Sequence, residues 1–263
     1  MQTQPTSAED ALIHQQSFTI RIHEVDADRQ LTVPALLRLL QEASMQHIIK
    51  LKASVWDLAA QQISWVLLRK QLNVLKPAKM GERITVLTYP TGFDKFFAYR
   101  DYLVFSADKE LIATAATTWS LIDVQSRKLT KVPDHLLHLV APEHLKRLKR
   151  AEARMPRPTA LVAEREQIIT NYDLDWNGHV NNVVLCRMML ESILADGKSE
   201  ADMGAYRFVF KNESRLGDQL TMYTDDEHKY AEVMRGDKVI AKLMTAPRPT
   251  SSQSAATGSS TAD

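Results

Sequence analysis

Asp173-Leu174-Asp175-Trp176-Asn177-Gly178-His179-Val180 can be laid over Asp26-Ala27-Asp28-Arg29-Gln30-Leu31-Thr32-Val33 with the paired aspartates in register. Each copy is a short acidic turn that runs straight into an apolar series at helical spacing, and a repeated entry of this kind implies a repeated structural unit. On this overlay Gln30 stands against Asn177 and Thr32 against His179, so the imidazole belongs to the second copy. The first copy is expected to keep fold and pocket, and the second to carry chemistry.

Outward from the first copy, Leu36, Leu37, Leu39, Leu40, Ala43 and Ile48 predict a helix over residues 33–51. Residues 180–194 predict a second helix that is apolar over most of its circumference. Helices of this kind are enclosed by other structure. An extended stretch over 18–25 precedes the first helix, and β-branched and aromatic segments at 63–74, 83–89, 96–106 and 111–123 follow it. The second helix has the same company: 164–170 before it, then 206–211, 220–225, 229–235 and 238–245. The short link through Asp108 and the Gly236-Asp237 turn join neighbouring strands tightly, which makes the sheets antiparallel. The class is α+β, with each unit a long central helix wrapped by an antiparallel sheet. Units are expected at 17–140 and 163–246, with 1–16 and 247–263 as disordered tails. Between the units, residues 141–162 carry Lys146, Arg147, Lys149, Arg150, Arg154 and Arg157, and they read as a solvated basic linker helix in preference to a docking patch.

Lys plus Arg (33) nearly balance Asp plus Glu (32), which removes the global positive field of a nucleic-acid binder. No run reaches the ~18–20 apolar residues of a membrane span. The first residues resemble neither a secretory signal nor an Arg-rich transit peptide. One cysteine, Cys186, makes no internal disulfide and fits a reducing, cytoplasmic setting. In its apolar helix it reads as a small core residue.

The stretch Asn171 through Asn182 crowds carboxylates, amides and an imidazole into a helix entry, where capping would account for one of them. Hydrolysis of an activated acyl group needs a water made nucleophilic, a proton donor for the leaving group and donors for an oxyanion. His179 can exchange protons near neutral pH, Asn177 can orient water or the acyl oxygen, and Asp175 can fix the imidazole tautomer. The backbone N–H groups of Val180 and Asn181 are expected to face the developing negative charge. Asp26 and Asp28 lack a nearby His or third acid and read as turn residues, not a metal site. Trp65, Trp119 and Trp176 read as core or pocket wall.

The run Asp-Leu-Asp-x-Asn-x-His-Val-Asn-Asn followed by an apolar helix ending in Glu191-Ser192 resembles the signature of acyl-ACP thioesterases. Leu40-Gln41-Glu42-Ala43, Ile63-Ser64-Trp65-Val66-Leu67 and Leu129-Thr130-Lys131-Val132-Pro133 are similar to further landmarks of that family, and the likeness runs from Phe18 to Thr245. It implies a tandem double hotdog fold and hydrolysis of fatty acyl-ACP to free acid and acyl carrier protein in fatty acid biosynthesis, with no cofactor and no metal. It also implies a fourth catalytic residue, Glu213, in Phe210-Lys211-Asn212-Glu213-Ser214, where Ser214 replaces a family cysteine and so favours attack by water. Acyl-CoA as carrier, a non-catalytic acyl-binding module and a hotdog dehydratase are the alternatives. A homodimer is left open.

Overall fold

Thr32 closes the entry to the first helix: its Oγ1 accepts the N–H of Ala35, and Pro34 sits in the first turn, where no N–H is required. The computed structural model describes residues 10–194 and 199–248. The helix that follows, α1 (Val33–Lys50), turns Leu36, Leu37, Leu40 and Ala43 inward, and each is at most 4% exposed. Its counterpart α3 (Asn182–Ile193) starts from Asn181, whose Oδ1 accepts the N–H of Val183 at 2.9 Å, and buries Val183, Leu185, Met188, Met189 and Ile193. A one-turn helix, α2 (Val55–Leu58), lies between α1 and the first long strand.

The strands are β1 (His14–Thr19), β2 (Ile63–Val74), β3 (Arg83–Phe93), β4 (Phe97–Phe105), β5 (Leu111–Asp123), the two-residue β6 (Leu129–Thr130), β7 (Val162–Ile168), β8 (Ala205–Phe210), β9 (Gln219–Thr224), β10 (Tyr230–Arg235) and β11 (Lys238–Ala246). All pair antiparallel in one sheet of order β1-β3-β4-β5-β2-β8-β11-β10-β9-β7, with β6 added beside β5. Each half uses the same plan, in which its second strand lies at the inner end of the order 1-3-4-5-2. Those two inner strands, β2 and β8, pair with each other from Arg69↔Val209 to Asn73↔Ala205, so the halves share a seam of backbone hydrogen bonds. α1 packs on β1 and β3, α3 packs on β9, β10 and β11, and the helices touch. One apolar cluster therefore runs through both halves.

The two helix entries are superposable turn for turn, but two residues away from the sequence overlay. Asp26 Oδ1 accepts the N–H groups of Asp28 and Gln30, while Asp175 Oδ1 accepts those of Asn177 and His179. Arg29 and Gly178 hold the matching left-handed position, at φ 62° and 72°. Thr32 and Asn181 are the matching caps. Structurally, then, Gln30 corresponds to His179 and Asp28 to Asn177. The sequence overlay aligns the paired aspartates, but Asp173 belongs with Glu24: each is the buried acid that closes a 3-10 turn, Asn171–Asp173 or Ile22–Glu24. The asymmetry of chemistry is unchanged, since Gln30 is no acid–base.

Two expected boundaries move. The first strand is not residues 18–25; it begins at His14, within the stretch assigned to the tail, because His14 to Thr19 pair with Thr88 to Arg83 of β3. Residues 1–9 and 249–263 lie outside the described residues. The basic linker is neither helical nor free. Residues 141–161 run irregularly along the sheet with Ala141, Ala151 and Met155 buried, and three of their cations, Arg147, Arg150 and Arg157, are used internally. Arg150 pairs with fully buried Asp101, which also accepts the Leu148 N–H at 2.8 Å, and Arg157 meets fully buried Glu232 at 2.6 Å. Buried carboxylates demand such partners.

His47 on α1 ties the first edge to the core. Its Nε2 donates to Ala11 O at 3.0 Å, which leaves Nδ1 to accept from Arg100 at 3.0 Å. Burial, then the Arg100 cation, push its pKa down to about 3. The unfolded chain, with a His near 6.5, takes up this proton first, so His47 contributes stability that is complete above pH 6.5 and is lost as pH falls toward 3. The loss over that whole range amounts to about 5 kcal/mol. Denaturant melts of His47→Gln and the native chain at pH 7.5 and 4.5 check it: the variant is expected to lose much less stability between the two.

Candidate active site

The turn at Asp175 sets the geometry. Asp175 N–H donates to His179 O at 2.8 Å, Gly178 N–H to Asp175 O at 3.0 Å, and the left-handed Gly178 lets the chain double back so that Asn177 and His179 border one cavity. The His179 Nε2 is 3.2 Å from Glu213 Oε2, and the other oxygen of that carboxylate pairs with Arg127. Arg127 lies between β5 and β6, so the first half helps to orient an acid of the second.

Electrostatically, His179 is poised as a neutral imidazole. Burial lowers its pKa most, the Arg215 and Arg127 cations lower it further, and Asp175 opposes them. As a carboxylate Glu213 can only accept, so the hydrogen sits on Nε2 and the Nδ1 lone pair is left open. No partner meets Nδ1 among the described residues.

Three sequence-based roles change. Asp175 does not fix the imidazole, because its Oδ1 is bound to the backbone of the turn and the ring bonds Glu213 instead. The Val180 and Asn181 N–H groups are not oxyanion donors: they already donate to Ser214 O at 2.8 Å and Asp173 O at 2.9 Å. The next residue, Asn182, borders the cavity, and its amide has no acceptor among the described residues. Its counterpart in the first half, Val33 N–H, is taken by a Glu200 carboxyl oxygen at 2.9 Å, so this position in the repeat already donates to a side-chain oxygen.

The cavity encloses about 640 Å³ and is walled from both halves, with Met45, Ile48, Trp65, Leu67 and Trp119 from the first and His179, Asn177 and Glu213 from the second. Trp65 and Trp119 are pocket wall, as read from sequence. Trp176 is 58% exposed and stacks obliquely on Trp56 of α2, with ring centroids 5.3 Å apart. Cys186 is 1% exposed and burial pushes its thiol up to about 12, which leaves it inert. Ser214 is as deeply buried and does not border the cavity, so it offers no nucleophile. The sequence reading missed Arg127, whose signal was absent from the motif because its partner is far away along the chain. It also missed the two cations in the cavity, Lys70 and Arg100.

Among the described residues no helix is long and apolar enough to cross a membrane, and no group of His, Cys, Asp or Glu is arranged to hold a metal ion.

Fold and site together define an α+β protein of antiparallel sheet and two buried helices, with an imidazole–carboxylate pair opening onto a largely apolar cavity. The chain belongs to the acyl-ACP thioesterase family: the model of its N-terminal domain matches residues 11–140 and that of its C-terminal domain residues 162–247. It is 25% identical over 197 residues to a palmitoyl-acyl carrier protein thioesterase of Cuphea hookeriana, covering 70% of this chain and 48% of the relative. It is 26% identical to oleoyl-acyl carrier protein thioesterase 1 of Arabidopsis thaliana, covering 82% and 64%. The chain thus spans about half the length of several curated relatives that it matches. In fold it is similar to the 12:0-ACP thioesterase of Umbellularia californica (TM-score 0.76, 20% identity, 91% of this chain and 98% of that one). An acyl-ACP thioesterase of Bacteroides thetaiotaomicron is similar too (TM-score 0.72, 20% identity, 91% and 100%).

Proposed function

We propose that this chain hydrolyses acyl thioesters carried on acyl carrier protein, releasing free acid and the carrier thiol by direct attack of water. The observation that carries the reading is the 3.2 Å approach of His179 to Glu213 at the edge of a cavity that Met45, Ile48, Leu67, Trp65 and Trp119 help to wall. His179 Nδ1 takes a proton from water as its oxygen bonds to the thioester carbon. Glu213 holds the tautomer and stabilises the imidazolium, and Arg127 holds Glu213. The Asn177 carboxamide and the Asn182 N–H receive the oxyanion. When the tetrahedral intermediate collapses, the C–S bond breaks and the imidazolium returns its proton to the thiolate. Atoms balance as acyl thioester plus water giving acid plus thiol.

The fold reading that goes with this is a tandem double hotdog, residues 14–140 forming the pocket unit and 162–246 the catalytic one. The shared strand order of the halves supports it. The β2–β8 seam supplies within one chain the contact between two units, which makes a further homodimer optional.

An anionic carrier, as acyl carrier protein and coenzyme A both are, is supported by exposed cations around the opening: Lys211, Arg215 and Lys238 border the cavity beside His179. Reversing Lys211 and Lys238 to Glu is expected to lower kcat/KM for acyl-ACP by about tenfold at low salt, and by much less for acyl-pantetheine, which lacks the carrier. Equal losses on both would remove the carrier argument. The function itself is tested by offering the purified chain acyl-ACPs and acyl-CoAs of graded length and measuring acid and thiol released. Binding of acyl chains without thiol release from any of them would overturn hydrolysis.

A further inference from the structure

Two cations lie inside the cavity that should receive the acyl chain. Cross-strand register sets Lys70 of β2 opposite Thr117 of β5, and Thr117 opposite Arg100 of β4, so the three form one row on the same face of the sheet. Lys70 and Arg100 both line the cavity, yet they are only 7% and 6% exposed. Neither has a carboxylate partner among the described residues. Arg100 Nη1 bonds two neutral acceptors, His47 Nδ1 at 3.0 Å and Thr88 Oγ1 at 3.2 Å, which leaves its other guanidinium donors unused. The Lys70 ammonium makes no hydrogen bond to any described residue, and Cys186, whose charge would be felt there, is a neutral thiol.

Charges buried without counter-charge are costly, and the two fully buried carboxylates of the sheet are paired. Asp101 has Arg150, and Glu232 has Arg157 and Tyr230. A methyl-ended chain laid against Lys70 and Arg100 would strip their water and return nothing. An oxyanion would satisfy both, and a guanidinium with free donors is shaped for a carboxylate. The row spans two strand spacings, about 10 Å between the outer Cα atoms, so two long side chains can converge on one group above Thr117. Phe208 faces Lys70 across the β2–β8 seam, and Glu213 is five residues further along, which puts the Lys70 backbone at most about 23 Å from that of Glu213.

We infer that this row is a subsite for an anionic terminal group, so that the thioester substrate is an acyl chain carrying a carboxylate at its far end. The inference rests on the hydrolase reading above and adds the substrate class to it. Burial depresses the pKa of both cations, and a bound carboxylate would oppose that shift.

The test compares acyl-ACPs of matched length ending in carboxylate, hydroxyl or methyl, with kcat/KM read from thiol release by the full chain. A carboxylate end is expected to be favoured over methyl by about tenfold or more, and Lys70→Met to collapse that ratio. Arg100→Met should do the same, and Lys70→Met keeps the test standing if that variant fails to fold. A native chain that prefers methyl or hydroxyl ends overturns the anionic subsite and leaves hydrolysis intact. If no thioester is cleaved, free dicarboxylic acids of graded length serve as probes. A rise in Tm over matched monocarboxylic acids, lost in Lys70→Met, would support the subsite alone, and no rise would overturn it.

Discussion

Replacing His179 by Ala is expected to lower kcat on the best acyl-ACP by about three orders of magnitude, with little change in Tm. The side chain is 13% exposed at a cavity edge, and its contact is with Glu213, not with the apolar core, so its loss removes chemistry and not packing. Glu213→Gln should be less damaging: it can still accept from Nε2 but no longer stabilises an imidazolium. The pH profile supplies an independent check. A base must be neutral to act, and burial with Arg215 and Arg127 holds the His179 pKa below its ordinary value. Activity should therefore rise with pH along a limb lying below about pH 6.5 and be level at neutral pH. Removing one cation by Arg215→Met relieves part of that depression and moves the limb upward. Near-native turnover in His179→Ala, or a limb that Arg215→Met moves downward, would take the base assignment away from this residue.

Much of this arrangement was legible because its parts are local. β2 and β5 have the bounds their apolar and β-branched runs predict, and the acidic turn, the imidazole and the helix cap lie within a dozen residues. What was not legible depends on pairing between distant segments. The basic stretch after residue 141 looked solvated because its counter-charges, Asp101 and Glu232, sit on strands far along the chain. Arg69 and Lys70 are adjacent, and which of them faces the cavity is decided by the register shift between Leu67 and Arg69, a bulge that strand alternation cannot foresee. Sequence alone aligns the two halves two residues out of step because Asp-x-Asp occurs in both. Spacing to the cap is the better guide: six residues separate Asp26 from Thr32 and Asp175 from Asn181.

That revised register makes Asp175 the sharpest position at which to separate an electrostatic from a structural role. Its Oδ1 accepts from Asn177 N–H at 2.9 Å and from His179 N–H at 3.3 Å, as Asp26 does in a half with no imidazole to orient. A carboxylate kept in both halves is serving what both halves share, the turn. Asp175→Ala leaves two amides without their acceptor and loosens the placement of Asn177 and His179 together, and a misplacement of about 1 Å costs about 100-fold in rate. Asp175→Asn keeps an oxygen for the same two amides, so it is expected to hold the turn and retain turnover within about tenfold of native. It also deletes the negative charge that raises the His179 pKa, so its pH limb should move further down. A tautomer-fixing Asp175 predicts the opposite pattern, with Asn nearly as inactive as Ala, because the amide would favour the wrong ring tautomer. Measuring kcat and the pH limb for the two variants side by side decides between a residue that acts on the ring and one that acts through the backbone beneath it.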